Sequence, residues 1–269
     1  MDYKRNKIRG ISSFPKWIIL SFTIAGTFLI AGFLFLYLVW VGLFGSVPDS
    51  NELRNIHQQE ASRILSADGV QLGTYHQQSR TIISLDDTSP ELLDALLAIE
   101  DIRFHSHNGI DYRALGRVIV KTILMGQNAG GGSTITQQLA KNLYPRENSR
   151  GLFIVSDKLR EMIIARKIES IYSKDEILEL YLNTVSFGEN TYGIEMATYR
   201  FFNKPPDDLN LNESATLVGL LKATTFYNPH RNPERSLQRR NVVLRQMEKN
   251  DFIASDVADK AVSESLKIY

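Results

Sequence analysis

The alternation of polar and apolar positions divides the chain into stretches of different character. From Trp17 to Phe44 no side chain is charged, and this run of about 28 residues exceeds the roughly 20 that carry a helix across a bilayer. It is long enough to span with some tilt. Lys4, Arg5, Lys7, Arg9 and Lys16 precede it against a single acid, Asp2, a bias that predicts an amino terminus in the cytoplasm and everything after Ser46 outside it. A cleaved signal peptide is the competing reading, but its apolar core runs to roughly 7 to 15 residues, about half this length. The predicted layout is a cytoplasmic tail over 1–16, a transmembrane anchor over 17–44 in the inner or cytoplasmic membrane, and a polar, proline-containing linker over 45–62.

From Arg63 to Tyr75 the pattern alternates around Asp68-Gly69, a dipeptide favoured in tight hairpins, which predicts strands over Ile64–Ser66 and Val70–Tyr75. Beyond it the periodicity is helical. Ser89-Pro90-Glu91 supplies an N-cap, a proline at the first helical position and an early acid. Leu92, Leu93, Leu96, Leu97 and Ile99 then form one apolar stripe that delivers Glu100 and Asp101 at its end. Thr134 with Gln137 and Ser173 with Glu176 have capping-box spacing, and Asn232-Pro233-Glu234 has a cap, a proline and an acid. Lys174, in the first turn after Ser173, reads as a solvated lysine. A further helix is predicted from about Ser156 to Ile171, and Pro205-Pro206 marks a break. The fold class is therefore mainly α, with one domain over 63–250 and a C-terminal tail, or the start of a linker, over 251–269.

Composition changes this picture little. The 269 residues, 43% of them hydrophobic, suffice for one sizeable core besides the membrane segment. A net charge of +1 offers no global attraction for nucleic acid. The absence of cysteine removes disulfides, thiolate metal sites and a cysteine nucleophile, so any catalysis falls to carboxylates, histidine, lysine or hydroxyls.

Three constellations carry candidate chemistry. Between Ala98 and Asp111 lie Glu100, Asp101, Arg103, His105, His107 and Asp111. This is either the edge of an active site or a solvated, salt-bridged loop, and the two histidines are a weak candidate metal pair. Gly130-Gly131-Gly132 leads into Ser133-Thr134, with Lys141 about two turns on. Glycines before a helix N-terminus, with a lysine near by, form a plausible phosphate cradle, although the lysine is misplaced for a P-loop. Lys158 and Glu161, three apart, share a helix face and read by themselves as a surface ion pair.

Taken together these residues resemble the peptidoglycan glycosyltransferase family: the monofunctional biosynthetic transglycosylases, or the glycosyltransferase part of the bifunctional class A penicillin-binding proteins. Glu100-Asp101 with Phe104, His107, Gly109 and Asp111, then Gly131 to Asn142, then Lys158 and Glu161 look like its first three motifs in order. Ser186 to Glu195, which includes Asn190, resembles the fourth. Tyr227-Asn228-Pro229 with Asn232-Pro233 and Arg239-Arg240 resembles the fifth. His105 stands where tyrosine is common, Asp157 where arginine is common, and Thr224-Thr225 replaces a typical proline or small-residue pair. Either Arg146 or Arg150 takes the place of the family's phosphate-contacting arginine.

The resemblance implies a lysozyme-like, two-lobed glycosyltransferase domain that polymerises lipid II into glycan strands for peptidoglycan biosynthesis, cell-wall biogenesis and cell shape. It implies Glu100 as the base and Glu161 as the second catalytic carboxylate. Lys141, Arg146, Arg150, Ser133, Thr134, Gln137 and Gln138 would lie on the substrate's diphosphate, and Asp101, Phe104, His107, Gly109, Lys158 and Asn190 would support them. A divalent cation, Mg or Mn, is an expected cofactor with Glu161 as its candidate ligand, and no organic cofactor is expected. The implied partners are lipid II, the growing glycan strand, the membrane and other cell-wall synthesis proteins. The apolar positions Leu115, Val118, Ile119, Val120, Ile123, Leu124 and Met125, with Leu152 to Val155, serve either core packing or membrane insertion. The competing readings are a lytic or hydrolytic lysozyme-like enzyme, which needs no cationic side, and a non-catalytic membrane-anchored scaffold, which needs none of these groups together.

Overall fold

A computed structural model describes residues 15–56, 62–65, 71–75, 83–126, 131–146 and 152–269. Lys4, Arg5, Lys7 and Arg9 of the amino terminus, the Asp68-Gly69 turn, Gly130 and Arg150 lie outside the described residues.

The chain is mainly helical. Helix α1 (Lys16–Trp40) covers the uncharged run and ends in a turn at Val41 rather than continuing to Phe44. It is long and apolar enough to cross a membrane, and at 25 residues it measures roughly 37 Å. Its side chains are largely exposed, Phe22 and Phe28 by 75% each. Two antiparallel strands follow, β1 (Ser62–Leu65) and β2 (Gln71–Tyr75), with Ser62 opposite Tyr75 and a bulge after Ile64.

The core is built around α3 (Pro90–Glu100), α5 (Ile135–Leu143), α7 (Lys174–Thr184), α9 (Leu211–Leu220) and α10 (Pro233–Lys249). Ser89 caps α3 by accepting the Leu92 N–H at 3.2 Å. Leu92 and Leu96 of the predicted stripe are fully buried, while Leu93, Leu97 and Ile99 are half-buried against the core's edge. Ala95 and Ala98 widen the buried face because α9 and α10 both pack on α3. Each leucine withdrawn from water contributes about 1.5–3 kcal/mol, so this packing anchors the helix whose last residue is Glu100.

The predicted caps divide. Ser173 and Glu176 form the full reciprocal box at α7, as do Asn210 and Glu213 at α9. Thr134 makes only its own half, because the Gln137 side chain turns to Gly109 O instead. Asn232 makes no side-chain cap and donates to Thr225 O. Helix α6 (Leu152–Glu169) begins before Ser156, so the apolar residues Leu152 to Val155 are its first turn. There Phe153 meets Phe44 edge-on at 6.2 Å. Helix α4 (Tyr112–Met125) exposes Tyr112 and Val120 while Leu115 and Val118 are half-buried, so it serves both packing and surface.

The segment read as a linker is in part docked. Lys167 Nζ donates to Pro48 O at 2.8 Å and Tyr172 Oη to Leu53 O at 2.6 Å. Leu53, in α2 (Ser50–Arg54), is fully buried. Gly45, at φ +128°, lies where any Cβ would strike the Arg160 guanidinium. Arg160 itself donates to Tyr144 O and Pro145 O at 2.9 and 3.0 Å. The turn after α1 and the end of α5 are thus tied to one face of α6. At the other end α11 (Ser255–Ser263) packs on α10. Arg240, fully buried, donates to the carbonyls of Val262 and Glu264, and Tyr269 N–H reaches Phe201 O.

Candidate active site

Glu100 closes α3 and is half-buried. Gln138 Nε2 donates to its Oε2 at 2.7 Å, and the Tyr181 hydroxyl donates to Gln138 Oε1 at 3.0 Å. Tyr181 is fully buried, and burial first, the Glu100 carboxylate second, hold its phenol well above the ordinary tyrosine range. The neighbouring Asp101 is committed on both oxygens. It accepts from His107 Nε2 on both oxygens at 3.0 Å and from Ile135 N–H at 3.0 Å, tying the end of α3 to the start of α5.

The loop from Asp101 to Asp111 is ordered by its own polar groups. Arg103 donates to Asp111 Oδ2 through Nε at 3.0 Å and Nη2 at 2.6 Å, while Asp111 Oδ1 caps α4 by accepting the N–H groups of Arg113 and Ala114. Burial acts to raise the Asp111 carboxyl, but these N–H groups and the Arg103 charge outweigh it and hold it below the usual carboxylate range. Gly109, at φ +82°, approaches α6 so closely that a Cβ would meet the Ala165 backbone at 3.0 Å. Its carbonyl accepts from the Thr134 hydroxyl at 2.7 Å and from Gln137 Nε2 at 3.2 Å.

Several expectations change here. Thr134 and Gln137, expected on the diphosphate side, are 2% and 3% exposed and spend their polar atoms on the cap and on Gly109, so they latch the loop rather than face a ligand. His107 is committed to Asp101 and His105 lies exposed against Phe104, so the two do not converge as metal ligands. Lys174 is not solvated. Its ammonium donates to His107 O at 2.6 Å and Glu169 Oε1 at 2.8 Å and sits 4.3 Å from the centroid of the buried Phe104 ring, while Glu169 also accepts from the Thr136 hydroxyl.

Across α5 lies a cationic group. Glu161 is no surface residue, its side chain being 4% exposed. Lys158 Nζ reaches Glu161 Oε2 at 3.1 Å and Ser133 Oγ at 2.7 Å, and Arg146 places Nε at 2.8 Å and Nη2 at 2.7 Å from Glu161 Oε1. Burial lowers the Lys158 ammonium below the ordinary lysine range, and the Arg146 and Lys141 charges add to the fall while Glu161 opposes it. Lys141 is exposed, one turn beyond Gln138 on the same helix. Two cations thus share one carboxylate and a third, Lys141, is near enough for its charge to act on Lys158, an arrangement that leaves uncompensated positive charge for an anion.

Asn190 stands apart from both groups. It is exposed at φ +57° between β3 (Ser186–Gly188) and β4 (Thr191–Tyr192). Beside it Glu189, which sequence reasoning passed over, accepts from Arg200 at 2.7 and 3.0 Å and from Asn228 at 3.0 Å. It joins the hairpin to helix α8 (Ile194–Phe202) and to the Tyr227-Asn228-Pro229 loop.

With this geometry in hand, the comparison with known families is decisive: the transglycosylase family model matches residues 68–248. The chain belongs to the transglycosylase family. Both groups of charged residues fall within the matched span. This transglycosylase chain is 38% identical over 240 residues to penicillin-binding protein 1A of Aquifex aeolicus, covering 89% of this chain and 32% of that protein. It is 36% identical over 209 residues to penicillin-binding protein 1F of Bacillus subtilis, covering 78% and 29%. Penicillin-binding protein 1A of Pseudomonas aeruginosa is 40% identical over 221 residues, covering 82% and 26%. The chain therefore spans about a third or less of the length of the curated relatives it matches. A crystal structure of penicillin-binding protein 1A from Haemophilus influenzae aligns with a TM-score of 0.44 at 27% identity, over 78% of this chain and 21% of that one.

Proposed function

We propose that this transglycosylase chain is a peptidoglycan glycosyltransferase that polymerises lipid II. The observation that carries the reading is one helix, α5, which sets an accessible carboxylate at Gln138 and surplus positive charge one turn on at Lys141. Gln138 touches Glu100, and Lys141 and Ser133 belong to the Lys158, Arg146 and Glu161 group. Such an arrangement suits transfer from a sugar diphosphate, which needs a base for the acceptor hydroxyl and cations for the departing anion.

Glu100 takes the proton of the acceptor's 4-hydroxyl as that oxygen bonds to the donor's anomeric carbon. The bond from that carbon to the diphosphate oxygen breaks on the opposite face, so the configuration inverts and the polyprenyl diphosphate leaves with the electron pair. Lys141, Lys158 and Arg146 receive its charge. Ser133 and Glu161 hold Lys158 in place, and Glu161 also aims Arg146. Asp101, Phe104, His107 and Gly109 support the base from behind by fixing the end of α3 against α5.

A resident divalent cation does not fit the residues that would hold it. Both Glu161 oxygens are already satisfied by Lys158 and Arg146, both Asp101 oxygens by His107 and Ile135, and among the described residues no three His, Asp or Glu side chains converge.

The same reading makes α1 a single membrane anchor with the amino terminus cytoplasmic and the catalytic domain outside, where a polyprenyl substrate is met within the bilayer plane. The exposed Phe153, Ile154 and Val155 of α6, beside the end of α1, lie where they would enter the lipid. The test is incubation of the purified full chain in detergent with radiolabelled lipid II, with gel separation of products. Polymer formed by the wild type and lost in Glu100→Gln supports the reading; release of soluble sugar without polymer contradicts it.

A further inference from the structure

Gln138 donates to Glu100 through an amide, and an amide has a donor at one end and an acceptor at the other. Only the donor suits a carboxylate. Glu100 itself does not select which end faces it, since the protonated acid would be served equally well by the amide oxygen. The selecting group stands on the far side: Tyr181 Oη lies 3.0 Å from Gln138 Oε1 and Gln138 Nε2 lies 2.7 Å from Glu100 Oε2, a chain of three side chains from α7, α5 and α3.

We propose that Tyr181 is a positioning residue for the base: by donating to Gln138 Oε1 it holds the amide with its NH2 toward Glu100, keeping that carboxylate hydrogen-bonded and aimed before the acceptor arrives. The inference rests on the reading of Glu100 as the base. Tyr181 is suited to the task because it is fully buried and its phenol is held well above the ordinary tyrosine range, so it is a donor at neutral pH.

The other charged groups around Glu100 are occupied elsewhere. Asp101 is locked by His107 and Ile135, and Glu161 by Lys158 and Arg146. Lys141 stands a turn further along α5 and is exposed. From the α10 side the polar contact to the last turn of α3 is Asn250 Nδ2 on Ala98 O. None of these is hydrogen-bonded to the Gln138 amide.

Tyr181→Phe in the full chain in detergent removes the hydroxyl and keeps the ring. Two readouts separate positioning from mere packing: the pH–rate profile with lipid II, and the carboxyl titration of Glu100 followed by NMR in chain labelled with 13C-glutamate. The Glu100 resonance is assigned by its loss in Glu100→Gln. The expected result is an acid limb and an NMR midpoint both displaced upward by about one pH unit, a roughly tenfold rate loss below the limb, and KM unchanged. Gln138→Met should give the same displacement, and adding Tyr181→Phe to it nothing more. A folded Tyr181→Phe chain with limb and midpoint at their wild-type positions overturns the proposal, as does an additive double variant. Should Tyr181→Phe fail to fold, an unmoved midpoint in Gln138→Met is equally decisive. Normal turnover by Glu100→Gln would overturn the base reading itself, whereas an inactive Glu100→Gln with an unmoved Tyr181→Phe overturns only the relay.

Discussion

Glu100 and Glu161 are both glutamates on helices at one site, yet their surroundings divide them. Glu100 accepts from one neutral amide and, among the described residues, its second oxygen receives no hydrogen bond. Glu161 is buried and accepts from Lys158 on one oxygen and from two nitrogens of Arg146 on the other. A carboxylate with an open oxygen can take up a proton, while one saturated by charge-assisted hydrogen bonds cannot do so without releasing its cations. Residue type does not assign the roles; the partners do. On the proposed reading Glu100 is the carboxylate that takes the proton and Glu161 the one that holds the cations.

The sharpest way to break that contrast is to neutralise each in turn. Glu100→Gln removes the base and should lower the polymerisation rate by about 10²–10⁴-fold with no loss of thermal stability, since Gln138 can still hydrogen-bond to the new amide. A folded variant with near-normal turnover would remove Glu100 from the mechanism. Lys141→Ala, on the cationic side, should cost roughly 10²-fold in rate, the scale of one transition-state charge contact, with stability unchanged because Lys141 is exposed. Its control is Lys260→Ala, an exposed lysine on α11, and equal small losses in both would leave the surplus charge without a role. Glu161→Gln should differ from Glu100→Gln in kind. It leaves Lys158 and Arg146 without their shared counter-charge and should lower stability by about 1–3 kcal/mol in denaturant unfolding, with the rate falling as well. Stability equal to wild type would mean that Glu161 does not hold the cations.

What was legible in the sequence was local. The uncharged run of α1, the Ser89-Pro90-Glu91 start of α3 and the Ser173 and Glu176 box depend on residues within a turn of one another, so spacing alone reports them. The family resemblance carried the pairing of Glu100 with the Lys158 and Glu161 segment, which spacing could not have supplied. Side chains whose partners are distant escaped. Lys174 has a surface lysine's position in a first helical turn, and its engagement by His107 O and the Phe104 ring depends on a loop 67 residues earlier. Tyr181 reads as one aromatic among the apolar positions of α7, and only the packing of α5 on α7 brings Gln138 to its hydroxyl. Thr134 and Gln137 have capping-box spacing, but Gly109, reaching in through its left-handed backbone, diverts the glutamine. Arg160, Gly45 and the docked 45–56 segment follow the same rule: a polar run reads as linker until the helix that covers it is in place.

The smallest expected effect comes from a third carboxylate, Asp111, which separates charge pairing from catalysis. Like Glu161 it holds a cation, since Arg103 binds its Oδ2 at 2.6 and 3.0 Å, but it lies in the loop behind the base and touches neither the open oxygen of Glu100 nor the cations around Glu161. Its folded-state pKa is lowered, so it contributes stability that is fully present above the unfolded aspartate value of about 3.9 and is lost as pH falls through the folded value. Asp111→Asn keeps the cap on α4, because asparagine accepts from helix N–H groups as well as aspartate does. It loses the pair with a partly exposed arginine, worth about 0.2–1 kcal/mol. Urea unfolding at pH 7 should therefore find the variant slightly less stable, and the gap should shrink as pH falls below the unfolded value of about 3.9 and close only once pH is below the lowered folded value. The rate at neutral pH should stay within about twofold of wild type, as befits a change of less than about 0.5 kcal/mol at the reacting groups. A gap that persists unchanged to low pH would show that the cap geometry rather than the charge stabilises the loop. A large rate loss at pH 7 would extend the charge-dependent part of the site from the two glutamates to the loop that supports them.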